Sequence, residues 1–169
     1  MPNSVILVDE EDNELGTMEK LEAHKKGLLH RCFSIFVFND KNEVLLQQRA
    51  LSKYHSGGRW ANTCCSHPQS KDILKDAHVR LKEEMGFDCE LKEAFTFIYK
   101  AELDNGLSEY ELDHGIIGRS NAVPKPSPEE VMSFKWLTIK NLKADIRVNP
   151  GNYAYWLKEA LNNQYFLRI

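Results

Sequence analysis

The chain has 169 residues, a net charge of -3, and 42% hydrophobic and 28% charged residues. That length and apolar share suit one domain, residues 1–169, with its own core. The acidic balance argues against a nucleic-acid surface, which needs a basic excess, and leaves room for a local basic pocket. No stretch reads as a membrane span or signal peptide, since the apolar run Val5–Val8 meets Asp9-Glu10-Glu11-Asp12 at once. Cys32, Cys64, Cys65 and Cys89 lack the spacing of a disulfide framework, so a reducing cytoplasm is the expected location.

In chain order, Ser4–Val8 reads as a strand and Met18–Lys26 as a short helix or irregular segment. Cys32–Phe38 and Glu43–Arg49 flank the turn Asn39-Asp40-Lys41-Asn42 and read as a hairpin. Gly57-Gly58 and Pro68 bracket a constrained loop, a common seat for functional groups. Lys71–Met85 is the clearest helix, with Ile73, Leu74, Ala77, Leu81 and Met85 at helical spacing, Ser70 as a cap and Gly86 as a stop. Glu93–Glu102 and Leu112–Arg119 read as paired strands joined through Asp104-Asn105-Gly106. Asn121 to Pro128 is a loop, Val131–Leu137 a strand and Tyr153–Asn162 an amphipathic helix. Strands mixed with helices in so short a chain imply sheet layers covered by helices.

Several residues carry chemistry. His24 and His30 precede a strand, His67 follows Cys65 by two, and Glu109 and Glu111 share a face if their segment is extended. Three imidazoles and two carboxylates suit a divalent ion such as Mn²⁺, Mg²⁺ or Zn²⁺, although isolated histidines are more often surface groups. Arg80 and Glu84 are four apart on one helix: an ordinary ion pair, or a phosphate grip beside a metal-binding carboxylate. Cys65 near His67 suits a nucleophile, a ligand or an acid/base group, against the commoner fate of a buried thiol. Lys20, Arg49 and Lys53 are either a phosphate site or solvated surface charge. Trp156 on the last helix reads, by itself, as core.

Four stretches together resemble a known family. They are Arg49-Ala50-Leu51-Ser52-Lys53; Trp60-x-Asn62-Thr63-x-Cys65-Ser66-His67-Pro68; Arg80-Leu81-x-Glu83-Glu84-Met85-Gly86; and Tyr99 with Glu109-Tyr110-Glu111. Their order and spacing, from about Lys20 to Trp156, resemble the type 1 isopentenyl diphosphate isomerases. The resemblance implies an α/β fold, a Nudix-like α/β/α sandwich with a mixed central sheet. It implies that isopentenyl and dimethylallyl diphosphate interconvert by protonation and deprotonation through a carbocation-like state. His24, His30, His67, Glu109 and Glu111 would bind one divalent metal. Glu84, with the carbonyl of Cys65, would hold a Mg²⁺ on the diphosphate. Lys20, Arg49, Lys53 and Arg80 would neutralise that diphosphate, Cys65 and Glu111 would handle protons beside Tyr99, and Trp156 would cover the hydrocarbon.

Two departures stand out. The His24–His30 interval is shorter than is usual in the family. The Nudix box is degraded, with Val79-Arg80 where hydrolases carry Arg-Glu, Lys71 at the upstream glutamate and Cys65 at the upstream glycine. That weakens the alternative reading, a Nudix-type diphosphate hydrolase, and leaves the isomerase reading intact. A metal-stabilised binding module would need neither Cys65 nor Glu111. No dinucleotide glycine signature suggests a flavin. The expected partner is a small allylic or homoallylic diphosphate, with neither nucleic acid nor membrane, and the chain is taken as a monomer.

Overall fold

The computed structural model describes residues 3–168, the side chains of Asp104 and Arg168 excepted. In chain order the elements are β1 (Ser4–Val8), β2 (Glu14–Glu19), α1 (Lys20–Lys26), β3 (His30–Phe38), β4 (Glu43–Arg49), β5 (Trp60–Ala61) and β6 (Cys64–Ser66). They continue with α2 (Ile73–Met85), β7 (Leu91–Glu102), β8 (Ser108–Arg119), β9 (Val131–Thr138), α3 (Ile139–Val148) and α4 (Tyr155–Leu161). No helix among the described residues is long and apolar enough to cross a membrane.

The sheet is organised around β3, which is buried along its whole length. One edge of β3 pairs in parallel with β8 from His30↔Glu111 to Phe38↔Arg119. Its other edge is shared by β1 at His30, β6 at Phe33–Ile35 and β4 at Phe38. β8 then pairs antiparallel with β7, and β4 with β9. The sequence-predicted hairpin between β3 and β4 therefore exists only at its turn. Beyond Phe38↔Val44 the strands diverge, because Asn62-Thr63 is inserted between them. Thr63 Oγ1 accepts from the Val37 N–H at 2.9 Å and donates to the Leu45 carbonyl at 2.7 Å. One side-chain hydroxyl thus satisfies backbone groups that a continuous ladder would have paired.

Strand periodicity then sorts the residues onto two faces. Phe33, Ile35 and Val37, with Cys64, Leu45 and Ile116, pack under α2. Phe36 and Phe38, with Val44 and Leu46, pack against α3 and α4 through Leu142, Leu157 and Ala160. Helices on both faces make the expected α/β/α layering. At the N-terminal half of β3, the second face turns from apolar to chemical: His30, Cys32 and Ser34 precede Phe36 on it.

Three helices start later than the sequence predicts, α4 among them at Tyr155 rather than Tyr153. Asp72, not Ser70, caps α2 by accepting from the Lys75 N–H at 3.0 Å. Gly86 ends α2 in a left-handed conformation, φ 74°, and a Cβ there would stand 2.3 Å from the Lys125 carbonyl oxygen. Met18 and Glu19 belong to β2, and α1 begins at Lys20, with the Glu19 carboxylate accepting from the N–H groups of Leu21 and Glu22. β8 begins at Ser108, four residues before the predicted strand, and so takes in Glu109 and Glu111.

Candidate active site

Register alone assembles the site. In a sheet, paired residues share a face, so His30, Glu111 and Tyr99 form one row across β3, β8 and β7. Cys32, Asp113 and Phe97 form the next row, and Cys65, Ser34, Gly115 and Phe95 the one after, now including β6. Cys64 and Cys65, adjacent in sequence, consequently point to opposite faces: Cys64 into the α2 core, Cys65 into a cavity of about 310 Å³. Lys20, Arg49, Lys53, Arg80, Glu84, His67, Tyr99 and Trp156 also line that cavity. β6 and β8 flank β3 on opposite edges, so Cys65 and Glu111 approach the cavity from two sides.

At the Glu111 side, donors converge. His30 Nε2 and His67 Nε2 each lie 3.1 Å from Glu111 Oε1, and His24 Nε2 lies 3.7 Å from it. One ligand atom from each of these four residues lies within 4.8 Å of every other. The His24–His30 interval closes through Gly27, whose left-handed φ of 63° turns α1 into β3, and the two rings end 5.0 Å apart. The donor set fits a divalent ion on two grounds. His24 Nε2 is buried without a hydrogen-bond partner, a cost that a cation at that position would remove. His30 Nδ1 donates to the Leu28 carbonyl at 2.8 Å, which fixes the ring and aims Nε2 at the cluster.

Charge follows this geometry. Burial alone would raise the Glu111 carboxyl, but His24, His30 and His67 beside it hold it well below the usual carboxylate range. Burial and the neighbouring Glu109 and Glu111 push the Tyr99 phenol well above its usual value, so it remains a donor. It donates a hydrogen bond to Glu111 Oε2 at 2.7 Å and lies 3.3 Å from Glu109 Oε2. Glu109, predicted as a ligand, is buried on the same face yet stands outside the compact four-residue group. Its Oε1 lies 3.0 Å from His55 Nε2.

Across the cavity, burial pushes the Cys65 thiol up to about 12, with Arg49 opposing and Glu84, Asp113 and Glu111 adding to the rise. Arg49 Nη1 is 3.9 Å from its sulfur. Trp156 is buried, donates from Nε1 to Asn62 Oδ1 at 2.9 Å, and carries the Arg49 guanidinium 5.0 Å above its ring. It lines the cavity while packing with Ala61, Tyr99 and Ala154, so its core and site roles coincide.

The four predicted diphosphate-binding cations gather at the same cavity and are unequally engaged. Lys53 is paired with Glu130, and Arg80 with Glu83 at 2.6 Å and Glu84 at 2.5 Å. Both Glu84 oxygens are in use, since Gln47 Nε2 donates to Oε2 at 3.0 Å. Among the described residues, Lys20 and Arg49 form no ion pair. Burial lowers the Lys20 pKa, and Lys53 and Arg49 beside it lower it further, the repulsion an anion would relieve.

Sequence reasoning missed His55, Asp113 and Glu130, all of which line the cavity. Asp113 lies two residues beyond Glu111, so the same period-2 rule places it on that face. Burial pushes its carboxyl well above the usual range, and Ser34 Oγ donates to it at 2.7 Å. His55 follows Lys53 by two in a glycine-rich loop, and Glu130 comes from the turn before β9; neither position carries a periodic signal.

Comparison with known proteins bears on the family and the fold. The NUDIX domain pattern matches residues 28–157. The isopentenyl-diphosphate Delta-isomerase 2 of Aromatoleum aromaticum is 47% identical over 163 residues, covering 96% of this chain and 86% of its own. The enzyme of the same name from Photorhabdus laumondii is 48% identical, covering 96% of this chain and 92% of its own. Among solved structures, DR0079 of Deinococcus radiodurans superposes with a TM-score of 0.70 at 20% identity, covering 89% of this chain and 91% of that one. A MutT NUDIX hydrolase of Burkholderia pseudomallei does so with a TM-score of 0.62 at 15% identity, covering 80% and 98%. At these identities the solved structures speak to the fold alone.

Proposed function

Because the chain belongs to the NUDIX domain family and, within it, to the isopentenyl-diphosphate delta-isomerases, we propose that it interconverts isopentenyl and dimethylallyl diphosphate by moving protons at the two ends of an allylic unit. The observation that carries this reading is one cavity with Glu111 and Tyr99 on one side, Cys65 on the other and cations around it. The substrate double bond is a very weak base. Moving it requires a proton gained at the terminal methylene and another lost from the carbon beside the oxygen-bearing one, with a tertiary cationic centre between. Positioned acid/base groups contribute roughly 10²–10⁴-fold each.

Glu111 with Tyr99 serves one proton and Cys65 the other. Trp156 presents an aromatic wall that keeps water from the cationic centre and stabilises it by about 2 kcal/mol when desolvated. Lys20, Arg49, Lys53 and Arg80 grip the diphosphate, whose binding energy holds the small hydrocarbon in register. His24, His30, His67 and Glu111, with Glu109 beside them, would hold a divalent ion, Mn²⁺, Mg²⁺ or Zn²⁺, which would supply the charge that acidifies neighbouring protons. Glu84, once released from Arg80 or Gln47, and the Cys65 carbonyl would hold a Mg²⁺, which would supply positive charge to the diphosphate. We place the enzyme in the cytoplasm, where its four free cysteines would stay reduced.

The test is proton NMR of the purified protein with isopentenyl diphosphate, Mg²⁺ and Mn²⁺ in D₂O. Dimethylallyl diphosphate carrying deuterium supports the reading. Release of phosphate with no isomer would replace it with the hydrolase.

A further inference from the structure

His55 stands at the end of a contiguous polar chain that the proton-handling roles above do not use. Its Nε2 lies 3.0 Å from Glu109 Oε1. The other Glu109 oxygen lies 3.3 Å from the Tyr99 hydroxyl, which donates to Glu111 at 2.7 Å. The Glu111 carboxylate in turn meets the three imidazoles. The His55 ring is also set edge-on to Trp156, 5.6 Å between centroids at 88°, and lies 6.2 Å from His24. It is mostly buried, and its Nδ1 is buried with no hydrogen-bond partner. A side chain present only to fill space would not carry that orphaned nitrogen, since burying an unmatched polar group costs free energy that an apolar residue avoids.

We propose that His55 is a positioning residue: it fixes the Glu109 carboxylate and, through Tyr99, the orientation of Glu111, while bracing Trp156 from the side. The backbone of the same residue has a separate task. The His55 carbonyl accepts from Arg49 Nε at 3.3 Å and from Arg49 Nη2 at 3.2 Å. One residue therefore links the diphosphate grip, by its main chain, to the carboxylate side of the cavity, by its imidazole. Replacing the side chain leaves the main-chain hold on Arg49 in place. The proposal accordingly predicts that chemistry and metal retention suffer while substrate grip does not.

Its activity arm rests on the isomerase reading; its metal arm does not. His55→Leu and His55→Gln are compared with the wild-type protein, with circular dichroism and thermal melting to verify folding. Mn²⁺ affinity is measured by competition with a chelator, alongside kcat and KM for isopentenyl diphosphate. Removal of a partner that orients a metal-site ligand typically costs about 10–100-fold in affinity or activity. His55→Leu is expected to lose about that much in Mn²⁺ affinity and in kcat, with KM nearly unchanged. His55→Gln, whose amide nitrogen can reach Glu109, is expected to recover most of both. Wild-type values in the leucine variant would overturn the proposal. So would a glutamine variant as poor as the leucine one, or a loss confined to KM, since either leaves only packing. If the wild-type protein isomerises nothing, the isomerase reading fails and the Mn²⁺ titration still decides the role of His55.

Discussion

The two ends of the cavity are charged in opposite ways and satisfied to different degrees. Around Glu111, three imidazoles and a carboxylate crowd together and leave His24 Nε2 orphaned, an arrangement suited to a cation. Around Lys53 and Arg80, the cations already hold Glu130, Glu83 and Glu84, so much of their charge is spent before any anion arrives. Lys20 and Arg49 differ from them: no carboxylate among the described residues pairs with either. The contrast teaches that a cluster of positive side chains is not a uniform anion site. Its affinity should reside in the members the protein has left unpaired.

The largest effects should come from the groups that reach the cavity from its two sides. Cys65→Ala and Glu111→Gln should each lower kcat by roughly 10²–10⁴-fold while the circular dichroism spectrum stays native. Near-normal turnover in either would remove that residue from the chemistry. At the imidazole end, His24→Leu should abolish most of the thermal stabilisation given by Mn²⁺. That stabilisation is about 2.7 kcal/mol for an ion at a hundred times its Kd, and an undiminished shift in melting temperature would place the ion elsewhere. At the cation end, Arg49→Gln should raise KM by about 10–100-fold, since a hydrogen bond to a charged group contributes about 1.5–3 kcal/mol. Lys53→Gln should cost less, because Glu130 already competes for that ammonium; equal effects would erase the distinction between paired and unpaired cations.

A smaller effect concerns pH. A thiol pushed up to about 12 stays protonated at neutrality, so alkylation of Cys65 by iodoacetamide should rise about tenfold per pH unit from about pH 7 to about pH 10. Peptide mass spectrometry separates it from Cys64. A plateau below about pH 9 would show that Arg49 outweighs burial.

Much of this was legible in the sequence where spacing meets a regular element. The helical period of Ile73, Ala77, Leu81 and Met85 gave α2, and the two-residue period placed Glu109 and Glu111 on one face. β2 escaped because four of its six residues are exposed and none is buried, and its pairing with β1 is made by the backbone, leaving no buried apolar alternation to read. α3 escaped because it starts directly after β9, with Thr138 ending the strand and capping the helix through Asn141. The divergence of β3 from β4 depends on Thr63, eighteen or more residues away from the groups it satisfies, and no local pattern encodes it. At the site, ligand types were legible through family resemblance, whereas pairing was not: that Glu130 occupies Lys53, and His55 meets Glu109, depends on loops brought together only by folding.

The most direct test runs the reaction backwards. Dimethylallyl diphosphate is incubated with the metal-loaded enzyme in D₂O and followed by proton and phosphorus NMR. Two-sided proton transfer predicts isopentenyl diphosphate deuterated at the carbon beside the oxygen-bearing one, and deuterium in a methyl group of the dimethylallyl diphosphate that reforms, with the diphosphate resonances intact. Loss of those resonances to free phosphate, or an unlabelled substrate after prolonged incubation, would contradict it.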